Sequence, residues 1–377
     1  MARAKAITDN WDAKSLAGQV LMTGIGNESC LSAGVKAMLE DIKPGAILLF
    51  RYNIAEQLSD LFDLCQEAGI ASIQEELLPF IALDHEGGRV NRFKNALTRL
   101  PSAATIGRAG AAALAGSIAG SELHGLGISM NLAPVAEAAV ADSNTFLGDR
   151  AFSSDWQEAA CMTYGYIKSC QMEGTLAVAK HFPASGNLDP HSGPISVIGG
   201  DIHAEQLLAP FAAAIKAEVS AILLSHVVAE FLDPLLPVSI SPSAIAALKE
   251  GMGFGGIVMS DDLEMAALSN IDGSEVSCVT AIKAGVDLIM TSSIKNAIAA
   301  RDAIYKEAIV NPDFLERLRD AAARIVAQKL RFGLDKHKPD IAKKRLLGLK
   351  ALVEQNEASL NAMLEQAAFR VKSSLNK

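Results

Sequence analysis

Short apolar runs alternating with longer helical stretches set the rhythm of this chain. The runs fall near Val20–Thr23, Ala46–Phe50, Phe80–Leu83, Ile128–Leu132, Leu176–Ala179, Ala221–Leu224, Gly256–Met259 and Leu288–Met290. Most are too short for helices, and they are continuously apolar instead of alternating. That pattern predicts parallel strands covered on both faces. Helical spacing occupies 55–75, 107–124, 154–173, 203–217 and 241–250, the last opening on a Ser241 cap with Pro242 at the first helical position. Eight strands with helices between them predict an α/β protein, a (β/α)₈ TIM barrel with additional C-terminal helices. A doubly wound sheet is the rival, but Gly24-Ile25-Gly26-Asn27 is too short for its phosphate loop. After Met290 the spacing is helical from about 293 to 330 and again from about 339 to 375. The first stretch completes the barrel, and the second packs on the barrel or on a partner subunit. The expected organisation is a barrel over 1–335 and a helical extension over 336–377.

Composition narrows the class. Half of the 377 residues are apolar, enough for one large core and a modest appendage. A formal charge of −9 offers no electrostatic reason for a nucleic-acid partner. Lys336-His337-Lys338 and Lys343-Lys344-Arg345 read as solvated helix faces. No run of eighteen apolar residues suggests a membrane span, and the N-terminus lacks a signal core. A cytoplasmic location is therefore expected. The five scattered cysteines read as buried thiols of a reducing compartment. Met22, Met130, Met172, Met259 and Met290 read as core filler. The last helix can support a dimer without requiring one, so a monomer or weak homodimer is expected.

In such a barrel, chemistry gathers where strands end. The third run leads into Asp84-His85-Glu86-Gly87-Gly88-Arg89 and the fifth into Lys180-His181-Phe182-Pro183. The sixth leads into Ser225-His226 and the seventh into Ser260-Asp261-Asp262. One such group is readily a structural cap; four on one rim are not. Asp84 can accept hydrogen bonds from hydroxyls, while Lys180, His181 and Arg150 can donate them. Asp261 follows the apolar run closely enough to be held rigidly, as covalent attack at an anomeric carbon requires. Asp262 suits capping of the next helix, with Glu264 in its first turn. Asp189-Pro190-His191 lies in the Gly-, Pro- and Asn-rich loop after the fifth run. There a carboxylate can fix the imidazole tautomer and raise its basicity for proton transfer, although the tripeptide also suits an ordinary surface turn. A metal centre from His85, His181, His191 and His226 with Asp84 or Asp261 competes for the same residues. No His-x-His or His-x-x-x-His pair supports it. His124, His203 and His337 fall in helical patterns and read as structural or solvated.

At these residues the chain resembles glycoside hydrolase family 3, in its β-N-acetylhexosaminidase branch. The resemblance runs from Gly18 to about Leu330. It is carried by GQVLMTG at 18–24, PGAILLFRYNI at 44–54, IALDHEGGRVNRF at 81–93, NLAPVAE at 131–137 and LGDRAF at 147–152. AKHFP at 179–183, GFGGIVMSDDLEM at 253–265 and AGVDLIM at 284–290 complete the series. The resemblance implies Asp261 as nucleophile, and Asp84, Arg150, Lys180 and His181 as the grip on the innermost sugar. Asp189 and His191 are implied as an acid/base dyad. The implied reaction is removal of terminal, non-reducing β-linked N-acetylglucosamine with retention, typically from cell-wall muropeptide fragments. No metal or organic cofactor is implied. The chain departs from the family pattern with His85 for Gln and Glu137 for Asp. In the acid/base loop Ser185 replaces a His, Pro190 replaces a Ser, and the stretch before Asp189 is two residues shorter. Pro190 also restricts the backbone of Asp189. A β-glucosidase, an N-acetylglucosaminide phosphorylase or a non-catalytic sugar-binding protein on the same fold are the alternatives.

Overall fold

The continuously apolar runs become strands buried on both sides. The computed structural model describes all residues except 28, 94–95, 140–146, 187–194, 200–203, 265–273, 337–338 and 376–377. Its strands are β1 (Leu21–Gly24), β2 (Ala46–Leu48), β3 (Phe80–Leu83), β4 (Met130–Asn131), β5 (Leu176–Phe182), β6 (Val197–Ile198), β7 (Ala221–Leu224), β8 (Val228–Ala229), β9 (Ile257–Asp262) and β10 (Leu288–Thr291). Among the described residues, eight of them close a barrel in the order β1-β10-β9-β7-β5-β4-β3-β2, while β6 pairs only with β8. Neighbouring barrel strands are parallel throughout, with Met22 beside Met290 on one side and Ala46 on the other. This is a (β/α)₈ barrel with further helices after it. Ile47, Phe80, Ala177, Ile222, Val258 and Ile289 are each fully buried, as strands covered on both faces require.

The helices are α1 (Ala2–Thr8), α2 (Ala13–Gln19), α3 (Ala33–Ile42), α4 (Leu58–Ala71), α5 (Ala103–Ala109), α6 (Ala112–Gly125), α7 (Trp156–Met172), α8 (Ala204–Lys216), α9 (Pro242–Ala246), α10 (Ser274–Ala284), α11 (Ile294–Val310), α12 (Pro312–Arg331) and α13 (Pro339–Leu375). Ser241 caps α9 as expected, accepting from the Ala244 amide with Pro242 at the first position. The helix expected over 107–124 is two, because Gly110 takes a left-handed conformation and ends α5. The stretch 293–330 is also two helices, divided at Asn311, whose side chain caps α12 through the Phe314 amide ahead of Pro312. α1, α2, α3 and α10 lack counterparts in the helical spacing read from the sequence.

α6 is apolar on all sides because it is covered on two, by α7 and by the long α13. Leu349 and Leu360 of α13 are buried there, and Asn356 donates to the buried Glu122 carboxylate of α6 at 2.8 Å. Met172, expected in the core, is 77% exposed, since it occupies the last turn of α7 with its side chain outside the packed face. Cys65, Cys170 and Cys278 are buried, but Cys30 and Cys161 are exposed, so burial explains only part of the cysteine pattern. No helix among the described residues is long and apolar enough to cross a membrane.

Candidate active site

The site begins where β3 ends. Gly87 and Gly88 turn the chain back with φ of 93° and 55°, and a Cβ on Gly87 would stand 2.4 Å from the Pro101 carbonyl oxygen. Only glycine suits that approach. The turn leaves Asp84 and Glu86 on either side of His85. Asn131, the last residue of β4, fixes this point: its side chain accepts from the His85 amide and donates to the His85 carbonyl, both at 3.0 Å. The His85 ring is buried edge-on against Phe93, and burial, assisted by the Arg92 charge, lowers its pKa to about 4. It is therefore neutral at ordinary pH and packs as a core residue.

Lys180 rises from β5 between the two carboxylates, its Nζ 2.6 Å from Asp84 Oδ1 and 2.7 Å from Glu86 Oε1. Arg92 donates to the other Asp84 oxygen at 3.0 Å. Arg150 donates to both Glu86 oxygens in a bidentate fork at 2.8 and 2.9 Å. Burial alone would raise the carboxyls and lower the ammonium. The opposite charges overrule it: Asp84 sits well below the usual carboxylate range, Glu86 falls to about 2, and Lys180 rises. All five groups are ionised, so the site presents fixed charges of both signs to polar groups of a ligand. Arg150, read from the sequence as a direct donor, is committed to Glu86.

A second network adjoins the first. Residues 133–137 run beside β5, with the Lys180 amide donating to Pro134 at 3.1 Å and the Ala136 amide donating to Lys180 at 2.6 Å. This delivers Glu137 to His181. The Glu137 Oε1 lies 2.8 Å from His181 Nδ1, and Oε2 accepts from the Ser185 amide and hydroxyl at 2.7 and 2.9 Å. Burial pushes the Glu137 carboxyl up, but these hydrogen bonds hold it below its ordinary value. An ionised carboxylate at Nδ1 makes that nitrogen the donor.

Asp261 is the penultimate residue of β9, which stands diametrically opposite β3 in the strand order, so the strand ends that carry Asp84 and Asp261 lie on opposite sides of the C-terminal mouth. Its Oδ1 accepts from the Asp262 amide at 2.8 Å. Asp262 accepts from the Glu264 amide at 3.0 Å in a turn, and burial raises its carboxyl to about 6. The helix it is expected to cap falls on residues outside the described ones. His226 supports this end of β9. Its Nε2 donates to the Asp262 carbonyl at 3.1 Å, while Nδ1 lies 2.8 Å from the Ser239 hydroxyl.

The structure thus brings Asp84, Lys180, Arg150 and His181 into connected networks and sets Asp261 across the mouth. Asp189 and His191 lie outside the described residues. Among the described residues no three His, Cys, Asp or Glu side chains group as a metal site. His85 and His226 are committed to packing and to the β9 carbonyl. The sequence reading assigned no role to Glu86, Arg92, Asn131 or Glu137. Glu86 carried a signal, as the second carboxylate before the Gly-Gly turn; Glu137 follows no predicted strand and carried none beyond its departure from Asp.

The Glycosyl hydrolase family 3 N terminal domain matches residues 17–327, and the chain belongs to this family of glycoside hydrolases. It is 32% identical over 276 residues to a beta-hexosaminidase of Thioalkalivibrio sulfidiphilus, covering 70% of this chain and 77% of that protein. It is 31% identical over 316 residues to a beta-hexosaminidase of Methylococcus capsulatus, covering 78% and 89%. A solved glycoside hydrolase family 3 beta-N-acetylglucosaminidase from Paenibacillus sp. str. FPU-7 superposes with a TM-score of 0.82 at 27% identity, over 91% of this chain and 69% of that one.

Proposed function

We propose that this protein is a retaining β-N-acetylglucosaminidase that removes terminal, non-reducing N-acetylglucosamine, with cell-wall muropeptide fragments as its substrates. The observation that carries this reading is the ionised Asp84–Lys180–Glu86 cluster at one side of the barrel mouth, with the strand that carries Asp261 at the opposite side. The beta-hexosaminidase relatives supply the sugar class. Asp84 accepts from sugar hydroxyls, Lys180 and His181 donate to them, and Glu86 holds Lys180 and Arg150 in place. In the first step a carboxylate oxygen of Asp261 bonds to the anomeric carbon as the bond to the leaving oxygen breaks. His191, paired with Asp189, gives that oxygen its proton. In the second step water attacks the anomeric carbon, passes its proton back to His191, and releases Asp261. Two inversions give net retention, and no step calls for a metal.

The test compares a chromogenic β-N-acetylglucosaminide with the matching β-glucoside, using wild type and Asp261→Asn. Turnover of the N-acetyl substrate is expected, falling at least about a thousandfold in the variant. Preference for the glucoside overturns the sugar assignment. An Asp261→Asn variant with undiminished rate overturns the nucleophile.

A further inference from the structure

We propose that Glu122 of α6 is a positioning residue for the sugar grip, and that it couples the C-terminal helix α13 to the active site. The proposal rests on the glycosidase reading above. Glu122 is buried, and its carboxylate gathers donors from two distant parts of the chain. Oε2 accepts from the Thr98 amide at 2.9 Å, while Oε1 accepts from the Thr98 hydroxyl at 2.5 Å and from the Asn356 side chain of α13 at 2.8 Å. These donors are neutral. Burial raises the carboxyl and their hydrogen bonds oppose it, so the anion depends on them, and a donor lost from it is not replaced by water.

From Thr98 the contacts lead to the turn that carries the grip. The Leu100 amide donates to the Thr98 carbonyl at 2.9 Å, and the Leu100 carbonyl accepts from the Gly88 amide at 3.0 Å. Gly87 and Gly88 lie directly on this stretch: a Cβ on Gly87 would stand 3.1 Å from the Leu100 Cβ, and one on Gly88 2.9 Å from the Ser102 Cα. Across the turn the Val90 amide donates to Gly87 and the Glu86 amide to Val90, both at 3.0 Å. Asp84 and Glu86, the two carboxylates on Lys180, stand at its head. Residues 98–102 are thus the bed of the turn, and Glu122 fixes the bed. From the Thr98 amide onward the route is backbone, so a shift is passed on instead of being absorbed by a rotamer. A misplacement of about 1 Å can cost about a hundredfold in rate.

The same carboxylate anchors α13. Asn356 lies between Leu349 and Leu360, the buried leucines of that helix, so its bond to Glu122 is a polar tie within the docked face. Helix and turn therefore share one support, and coupling through it is reciprocal. An ordered turn that favours sugar binding is itself favoured, together with α13, when the sugar is bound.

Hydrogen exchange on the wild-type protein reads this coupling directly. Saturating N-acetylglucosamine, the product, is expected to slow amide exchange in α13 around Asn356 by about fivefold, which a carboxylate serving stability alone would not do. Affinity for N-acetylglucosamine is then compared among three variants. Glu122→Ala should weaken it about tenfold, and Glu122→Gln, which keeps an oxygen for the Thr98 amide, should recover most of the loss. Leu318→Ala, which opens a cavity under α12, should lower the unfolding midpoint and leave the affinity unchanged. Unchanged exchange in α13 overturns the coupling even where Glu122→Ala does not fold. Equal weakening by Leu318→Ala and Glu122→Ala overturns the positioning role. In both cases wild-type turnover of the chromogenic N-acetylglucosaminide leaves the glycosidase reading standing. A wild type that neither binds the sugar nor cleaves its glycoside overturns both readings together.

Discussion

Two lysines buried at opposite ends of the barrel meet opposite surroundings. At the C-terminal mouth Lys180 lies between Asp84 and Glu86, and those charges keep its proton on against the effect of burial. At the N-terminal floor Lys329 of α12 is 1% exposed and donates to the Gln19 side-chain oxygen at 3.3 Å, and burial lowers its pKa to about 7. Close to that end the fully buried Asp287 shows a third arrangement. One of its oxygens accepts from Lys249 at 2.9 Å and Arg317 at 2.6 Å, and the other from the Val258 amide at 3.0 Å. That carboxylate ties α12 and the helical turn Ala247–Gly251 after α9 to the starts of β9 and β10. The floor uses charge to join elements, as the N-terminal end of such barrels generally does. The mouth packs charges of both signs onto strand ends, where a polar ligand can share them.

That contrast predicts different losses from similar deletions. The largest is expected for Asp287→Ala, which strips Lys249, Arg317 and the Val258 amide of their common acceptor. Urea unfolding should show a loss of about 3–5 kcal/mol, with kcat/KM per folded molecule unchanged. A fall in activity without a fall in stability would break the division between floor and mouth. Lys180→Met should act the other way, lowering kcat/KM on the N-acetylglucosaminide about a hundredfold. Asp84 keeps Arg92 and Glu86 keeps Arg150, so the unfolding midpoint should move less than for Asp287→Ala.

The smallest effect sharpens the comparison of the two lysines. The folded value of Lys329, about 7, lies below the ordinary 10.5, so between them the unfolded chain binds the extra proton. Stability must therefore rise with pH through that window, by about 1 kcal/mol between pH 7 and 8. Lys329→Met should remove this slope, and the difference between the two unfolding profiles isolates it. Identical slopes would mean that Lys329 keeps its proton in the fold, as Lys180 does.

Asp84, Lys180, His181 and Asp261 were legible in the sequence because each follows an apolar run, and a run covered on both faces keeps its signature whatever its partners are. β5 and β9 extend further than that signature, so Lys180, His181 and Asp261 are strand residues held by pairing, not loop residues. Glu137 was illegible as part of the site because its partners, His181 and Ser185, lie 44 and 48 residues away. The docking of α13 was equally hidden, since Glu122 and Asn356 are 234 residues apart. The break at Gly110 did have a local signal, which the strong apolar periodicity on both sides of it obscured.

The amino-acid sequence by itself determined the eight barrel strands, most of the helices between them and the kinds of polar group placed at the strand ends. Those follow from apolar spacing, caps and turn residues, which act over a few positions of chain. Tertiary structure alone decided which charges meet, why Lys180 is held protonated and Lys329 is not, and why Arg150 answers to Glu86. Those depend on separation in space and on burial, and barrel closure sets both.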